Sequence, residues 1–300
     1  MLDELQHIAP KFKFKTSPYE HQLSCFLIGI YNPTFLFFLD MGLGKSKIVL
    51  DLITYYNKYL HKINKTLVLV PGPVNIYSFA DEIRIHSNLS CTELYGTKNE
   101  RWNLLEKSNT DLYLLNYAGL QSMIMEDTDK SKRDEMLGRL PSRKAIDSFR
   151  SHFDPVIWDE IHKAKSSKTL TYKLCSVISR DYKVRYGLTG TPMGRDTMDL
   201  WSQFFLIDNG ETLGKIISLY REAFYKTTIN YWGGYEYKLD PTKETLLHER
   251  LTNKSIRYDE SEVDELPVRV DRKVKIKLPV EARAYYNTIV KGLVLVKGDY

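Results

Sequence analysis

Hydrophobic and polar positions alternate in blocks along this chain. Phe35-Leu36-Phe37-Phe38-Leu39 is an unbroken apolar run of strand length, and it breaks at the Gly-containing turn Asp40 to Gly44. A helical spacing of apolar residues follows from Lys47 to Tyr59. The same alternation recurs downstream. Lys65–Val70, a short piece ending at Leu94-Tyr95-Gly96, Asp111–Tyr117, Pro155–Trp158 and Val184–Leu188 have strand character, and helical patterns lie between them. Apolar strands alternating with helices predict an α/β fold whose parallel sheet is covered on both faces. Phe79, Ile83 and Ile85 are the expected core positions of the helix after Pro71-Gly72-Pro73, and a helix is expected from Met198 to Leu206.

The ends of the chain differ in character. Lys11-Phe12-Lys13-Phe14-Lys15 alternates like an edge strand with its lysines in water. Ser17 as N-cap, Pro18 at the first helical position and Glu20 in the first turn open a helix that runs to about Ile30. Asp129 to Arg150 holds seven basic and four acidic residues, a solvated helical excursion or a basic flap, with a helix from Lys144 to Phe153. Past Gly210, Thr227–Trp232 and Tyr235–Leu239 flank Gly233-Gly234 as a two-residue hairpin. Its aromatics could stack on bases, but cross-strand pairing is the commoner use. A helix from Lys243 to Leu251, a polar and acidic stretch from Ser255 to Leu266, an alternating strand from Val268 to Leu278 and a helix from Val280 to Leu293 complete the chain.

Candidate chemistry gathers at the expected carboxyl ends of the strands, where ligands sit in such sheets. Strand, Gly42-Leu43-Gly44-Lys45-Ser46 and helix form the grammar of a phosphate-binding loop, although Leu39 stands where the full pattern has Gly. The two glycines let successive N–H groups converge on an anion, and the helix adds its positive end. Lys45 would reach the β- and γ-phosphates, and the Ser46 hydroxyl would ligate Mg²⁺. Asp159-Glu160-Ile161-His162 ends a buried strand downstream. There Asp159 suits the metal of an Mg²⁺·ATP site and Glu160 the attacking water. His162 and the hydroxyls of Thr189 and Thr191 are placed to pass on the state of that loop, and an exposed Gln22 could present its amide to adenine.

These ordered signals resemble the Swi/Snf-type branch of superfamily-two helicases. Pro18 to Gln22 looks like the opening glutamine motif, and Asp40 to Ser46 like motif I with Ser for the usual Thr. Pro71 to Glu82 resembles motif Ia, and Tyr95-Gly96, Arg101 and Asn116-Tyr117 resemble the small nucleic-acid-side motifs. Asp159 to His162 is similar to motif II with Ile for Ala, and Leu188 to Pro192 to motif III. Ile256-Arg257, Leu266-Pro267 and Tyr285-Tyr286 are similar to the bridge into a second lobe. The resemblance implies a RecA-like first motor lobe that binds ATP with Mg²⁺ through Met41, Gly42, Leu43, Gly44, Lys45, Ser46 and Gln22. Pro71, Gly72, Pro73, Tyr95, Gly96, Thr97, Asn116 and Tyr117 would lie toward nucleic acid, most simply duplex DNA.

On that basis residues 1–208 are expected to form the ATP-binding lobe, with 121–150 as its charged insertion. Residues 209–265 would be a helical and hairpin extension, and 266–300 a bridge to a second RecA-like lobe in a longer chain. As a fragment it is expected to be monomeric and nearly inactive alone. A DEAH-type RNA helicase, a restriction-enzyme motor or a nucleotide-dependent binding module without turnover are the alternatives. The bulk properties agree. A net charge of +5 and a pI near 8.8 tolerate a polyanionic partner. No apolar run reaches the ~20 residues of a membrane span. Cys25, Cys91 and Cys175 are three widely spaced thiols, expected free in a reducing, cytoplasmic compartment.

Overall fold

In a computed structural model, the described residues are 12–61, 65–126, 141–193, 197–229, 231–263, 272 and 274–296. They divide into two compact units, 1–264 and 265–300. The first unit is built on a seven-stranded sheet, in which β1 (Thr34–Leu39), β2 (Thr66–Val70), β3 (Cys91–Glu93), β4 (Leu112–Asn116), β5 (Val156–Asp159), β6 (Arg185–Thr189) and β9 (Ser255–Tyr258) take the order β3-β4-β2-β5-β6-β1-β9. Every pairing in it is parallel. Parallel strands need a crossover between them, and the intervening helices supply it. Three of them, α1 (Glu20–Tyr31), α2 (Lys45–Thr54) and α3 (Pro73–His86), pack in sequence against one another. Five others, α4 (Lys98–Lys107), α5 (Tyr117–Ile124), α6 (Arg143–His152), α7 (Leu170–Ser179) and α8 (Asp199–Asp208), form a second packed group.

The continuous apolar runs are explained by burial on both faces. Leu36 and Phe38, Leu67 and Leu69, Tyr113 and Leu115, and Trp158 join one core cluster with Leu120, Phe149, Cys175 and Phe204. The alternate residues Phe35, Phe37, Val68, Leu114 and Ile157 are buried as well. Among the described residues no helix is long and apolar enough to cross a membrane.

Several expectations are corrected. Phe12 and Phe14 carry no strand. Phe12 instead stacks on Phe26 at 5.0 Å and meets the rings of Tyr55 and Tyr59 edge-on, so the apolar side of the alternation is covered by helices. The first helix begins at Glu20 with Tyr19 as N-cap, two residues later than Ser17 and Pro18 suggested. Its reach is set by Gln22, whose side chain accepts the Tyr19 N–H. Pro73 is itself the first residue of α3, where the helix was expected to begin after it. Ile85 is exposed while Phe79 and Ile83 are buried, because the last turn of α3 rotates it off the sheet. Ser255–Tyr258, expected as a polar segment, is the strand β9 beside β1, a role that its mixed pattern hides at an edge open on one side. The excursion around 129–140 lies outside the described residues.

Beyond the sheet come α9 (Ile217–Phe224), the antiparallel pair β7 (Tyr225–Ile229) and β8 (Tyr235–Leu239), and α10 (Glu244–Thr252). The hairpin pairs end at Ile229 with Tyr235, so the connection between the strands is longer than Gly233-Gly234 alone. The second unit holds the helix α11 (Val280–Val296). Residues 274–279, expected within a strand from Val268 to Leu278, have no regular structure, since a strand needs a ladder partner; the rest of that stretch, apart from Arg272, lies outside the described residues.

One buried ion pair sits on α2, where Lys47 Nζ lies 2.6 Å from Asp51 Oδ2 with both side chains nearly inaccessible. Burial pushes the Asp51 carboxyl up to about 6, only partly offset by the Lys47 charge and hydrogen bond. The folded state therefore holds a proton more tightly than the unfolded chain. The contribution of Asp51 to stability is full below its ordinary value near 4 and is lost as pH rises through about 6. Asp51→Asn should flatten that part of the stability profile in urea unfolding between pH 4 and 7. At pH 7 it should still cost about 3 kcal/mol, because Lys47 is left buried without an anion. Wild-type stability of the variant at pH 7 would show that the pair contributes nothing.

Candidate functional site

Because all seven strands of the sheet are parallel, their carboxyl ends share one edge, and the sequence-predicted residues arrive there from β1, β2, β4, β5 and β6. After β1 the backbone turns through Gly42 and Gly44, both in the left-handed region at φ +86° and +75°, which L side chains rarely adopt. Gly44 is also the N-cap of α2. A Cβ on it would come within 2.3 Å of Gln22 Nε2, so the loop and the first helix are fitted to each other. Leu43 anchors the loop with a fully buried side chain, whereas Met41 is exposed.

Gln22 is buried, not exposed as expected. Its amide nitrogen donates to the Leu43 carbonyl at 3.2 Å and its oxygen accepts from Tyr19 N at 3.1 Å. One N–H and one lone pair of the amide remain uncommitted by these two bonds. His21, which sequence reasoning passed over, binds the same carbonyl through Nε2 at 2.8 Å. A cleft of about 440 Å³ opens here, lined among others by Ser17, Tyr19, Gln22, Gly44, Lys45 and Ser46.

Lys45 reaches back to the carbonyls of Leu39 and Asp40 at 2.9 and 3.1 Å. Burial lowers its pKa, opposed by the carboxylates of Glu160, Asp159 and Asp40. That coupling brings the two sequence motifs, more than a hundred residues apart, into one electrostatic site. Asp159 ends β5, and burial together with the Glu160 charge pushes its carboxyl up to about 6 despite Lys45. Glu160 moves the other way. Burial raises it, but hydrogen bonds from His162 and Thr189 and the Lys45 charge outweigh that and hold it below the ordinary value. Two adjacent carboxyls pushed apart in this manner are suited to different roles.

The backbone of Glu160 is left-handed, at φ 51° and ψ 56°, a costly conformation for a residue with a Cβ. It persists because the side chain is fastened. Thr189 Oγ1 donates to Glu160 Oε2 at 2.9 Å, and His162 Nδ1 lies 2.9 Å from that hydroxyl and 3.0 Å from the carboxylate. Thr189 is fully buried; Thr191 is exposed and joins through its backbone N–H, which donates to Thr189 Oγ1 at 3.1 Å. Of the two hydroxyls expected at this strand tip, one touches the acidic loop.

The residues assigned to the nucleic-acid side separate into two groups. Tyr95, Gly96, Thr97 and Pro73 are exposed, and Pro71 and Gly72 are partly so. Thr97 caps α4 in a reciprocal box with Glu100. Asn116 and Tyr117 are buried. Asn116 Oδ1 caps α5 by accepting from Gly119 N at 2.6 Å, and the Tyr117 hydroxyl donates to the Asp159 carbonyl at 3.0 Å. Tyr117 thereby braces the end of the acidic strand. Asp40 was likewise missed as a structural residue: its carboxylate accepts the Glu260 N–H at 3.1 Å and its N–H donates to the Tyr258 carbonyl. Short-range patterns carry no signal for such a contact across 220 positions.

The parallel sheet, with the two-glycine turn and the acidic strand end at one edge, has the fold of a RecA-like lobe. The chain belongs to the SNF2-related domain family, whose model matches residues 19–299. It is 25% identical over 298 residues to putative protein p41 of Acyrthosiphon pisum secondary endosymbiont phage 1, covering 95% of this chain and 59% of that protein. It is 28% identical over 274 residues to nuclear protein STH1/NPS1 of Saccharomyces cerevisiae, covering 86% of this chain and 18% of the other. In structure it is similar to the Sulfolobus solfataricus SWI2/SNF2 ATPase core in complex with dsDNA, with a TM-score of 0.63 at 19% identity over 94% of this chain and 54% of that one. The chain thus spans little more than half the length of these matches, and far less of the yeast protein.

Proposed function

We propose that this chain is the ATP-binding lobe of a DNA-dependent ATPase that tracks along duplex DNA. The observation that carries the reading is the coupling of Lys45 to Asp159 and Glu160 across the strand ends. The N–H groups of the turn from Met41 to Gly44 would cradle phosphates, and Lys45 would turn from its carbonyls to the β- and γ-phosphates. The uncommitted N–H and lone pair of Gln22 match the donor and acceptor edge of adenine. The donor set also fits Mg²⁺: the Ser46 hydroxyl and the Asp159 carboxylate are hard oxygen ligands, too few to enclose an ion that keeps much of its water. Bound there, the ion would neutralise charge on the phosphate oxygens. Glu160, held deprotonated, would orient the attacking water and accept its proton, while Thr189, His162 and the Thr191 backbone tie that carboxylate to the loop after β6.

Pro71 to Pro73 and Tyr95 to Thr97 form the exposed nucleic-acid side in this reading. The share of its relatives that the chain spans supports a second RecA-like lobe, supplying the arginines that complete the site. Membership of the SNF2-related family favours duplex DNA over the RNA-helicase and restriction-motor alternatives. The test is the ATP hydrolysis rate with no nucleic acid, duplex DNA or duplex RNA, for this chain and for a chain carrying both lobes. Stimulation by duplex DNA in the two-lobed chain is expected. Equal stimulation by duplex RNA would reject the DNA assignment, and stimulated turnover by residues 1–300 alone would reject the need for a second lobe.

A further inference from the structure

We propose that Glu82 binds the ribose hydroxyls of the nucleotide and makes the site prefer ribonucleotides to deoxyribonucleotides. This rests on the ATP reading above and supplies the part of the nucleotide that it leaves without a partner. In that reading Gln22 meets the base, while Lys45, Ser46 and the loop N–H groups meet the phosphates. The cleft that holds these residues is also lined by Thr16, Glu82 and His86, to which neither the base nor the phosphates give a role.

Glu82 and His86 lie one turn apart on α3. The segment before α1 is tied across the end of that helix, where Lys15 Nζ donates to the carbonyls of Arg84 and Ser87 at 2.5 and 2.7 Å. Thr16 is thereby held beside His86, with its Oγ1 2.7 Å from Nδ1. The other ring nitrogen, Nε2, faces Glu82 Oε2 at 3.4 Å. A carboxylate oxygen only accepts, so Nε2 carries the ring hydrogen and Nδ1 accepts from the Thr16 hydroxyl. Burial holds the His86 ring below its ordinary pKa against the pull of Glu82, which favours a neutral ring and leaves the carboxylate its charge. At 3.4 Å the contact is longer than a normal N–H···O bond. It orients one oxygen and leaves most of the carboxylate's roughly four acceptor sites open.

The cations nearby are committed elsewhere. Lys47 is paired with Asp51 at 2.6 Å and lies 5.2 Å over the Phe14 ring, and Lys15 is spent on its two carbonyls. This part of the wall therefore offers a phosphate no free positive charge, and Glu82 repels one. What it offers is an acceptor, and the adjacent 2′- and 3′-hydroxyls of ribose are two donors side by side. Dinucleotide-binding folds hold a ribose hydroxyl on an acidic side chain in the same way.

Isothermal titration calorimetry of this chain with Mg²⁺ and ATP, 2′-deoxy-ATP or 2′,3′-dideoxy-ATP is the test. The wild-type chain should bind ATP roughly tenfold or more tightly than dideoxy-ATP, the usual weight of hydrogen bonds to a charged acceptor, with 2′-deoxy-ATP between them. Glu82→Ala should bring ATP down to the level of dideoxy-ATP and leave the affinity for dideoxy-ATP unchanged, which also shows that the variant folds. Glu82→Gln should keep part of the preference, because its oxygen still accepts. Equal wild-type affinity for ATP and dideoxy-ATP, or a preference that survives Glu82→Ala, would overturn the ribose proposal and leave the ATP reading standing. A loss of affinity in Glu82→Ala that is equal for all three nucleotides would assign the carboxylate to the base or to the fold, and would also overturn it. No binding of any of the three by the wild-type chain would overturn both readings.

Discussion

Glu160→Gln is expected to reduce ATP turnover by roughly 10²–10⁴-fold, the usual weight of a positioned general base, while nucleotide affinity stays near its original value. The substitution is nearly isosteric, and the glutamine oxygen can still accept from Thr189 Oγ1. What it removes is the negative charge that His162, Thr189 and Lys45 hold in place. The loss should therefore appear in single-turnover hydrolysis by the two-lobed chain and not in equilibrium binding. A second consequence follows from linkage. The folded-state pKa of Glu160 is depressed, so its ionised form stabilises the fold above the ordinary glutamate range and that contribution fades as pH falls through the folded value. Glu160→Gln should lower the melting temperature slightly at pH 7 and converge with the wild type in acid. Full turnover in the variant would remove Glu160 from the chemistry.

Lys45→Ala should weaken nucleotide binding about a hundredfold, equivalent to ~3 kcal/mol for lost charge-assisted hydrogen bonds in a partly dry site. Lys45 stands among three carboxylates and on two backbone carbonyls, so without nucleotide its charge is already well compensated. Its removal strips Asp159 and Glu160 of a shared cation, and Asp159, already near 6, should titrate higher still. Binding of a fluorescent ATP analogue with Mg²⁺, measured at pH 6 and pH 8, checks both points. The deficit should be larger at pH 6, where Asp159 is more often protonated and less able to hold the ion. Equal affinity in wild type and variant would place the phosphates elsewhere.

Much of the candidate site was legible because its signals are local. An unbroken apolar run such as Phe35 to Leu39 is buried on both faces, so it reads as a strand wherever it lies. The turn after it needs two left-handed residues and contains two glycines. Asp159 and Glu160 close a strand of the same kind, and parallel topology alone delivers them to the edge that holds Lys45. Phe12 and Phe14 were illegible in the opposite sense: alternation specifies one apolar side but not what covers it, and helices cover it where a sheet edge was expected.

The rest depended on contacts between distant positions. Gln22 carries the amide that adenine would want, yet only the fold shows it buried against Leu43. Asn116 and Tyr117 carry no sequence signal for the bonds the fold gives them, one capping α5 and the other reaching the Asp159 carbonyl. Ser255–Tyr258 has no apolar run to announce a strand, because an edge position buries one side and leaves the other to water. The strained backbone of Glu160 is held by a hydroxyl 29 positions away, and Asp40 by an N–H 220 away. By itself the sequence determined the apolar strands β1, β2, β4, β5 and β6, the two-glycine turn and the Asp159-Glu160 pair, since each is encoded within a few neighbouring residues. Tertiary structure alone decided which side chains face the site, because burial and hydrogen-bond partners are properties of the packed chain.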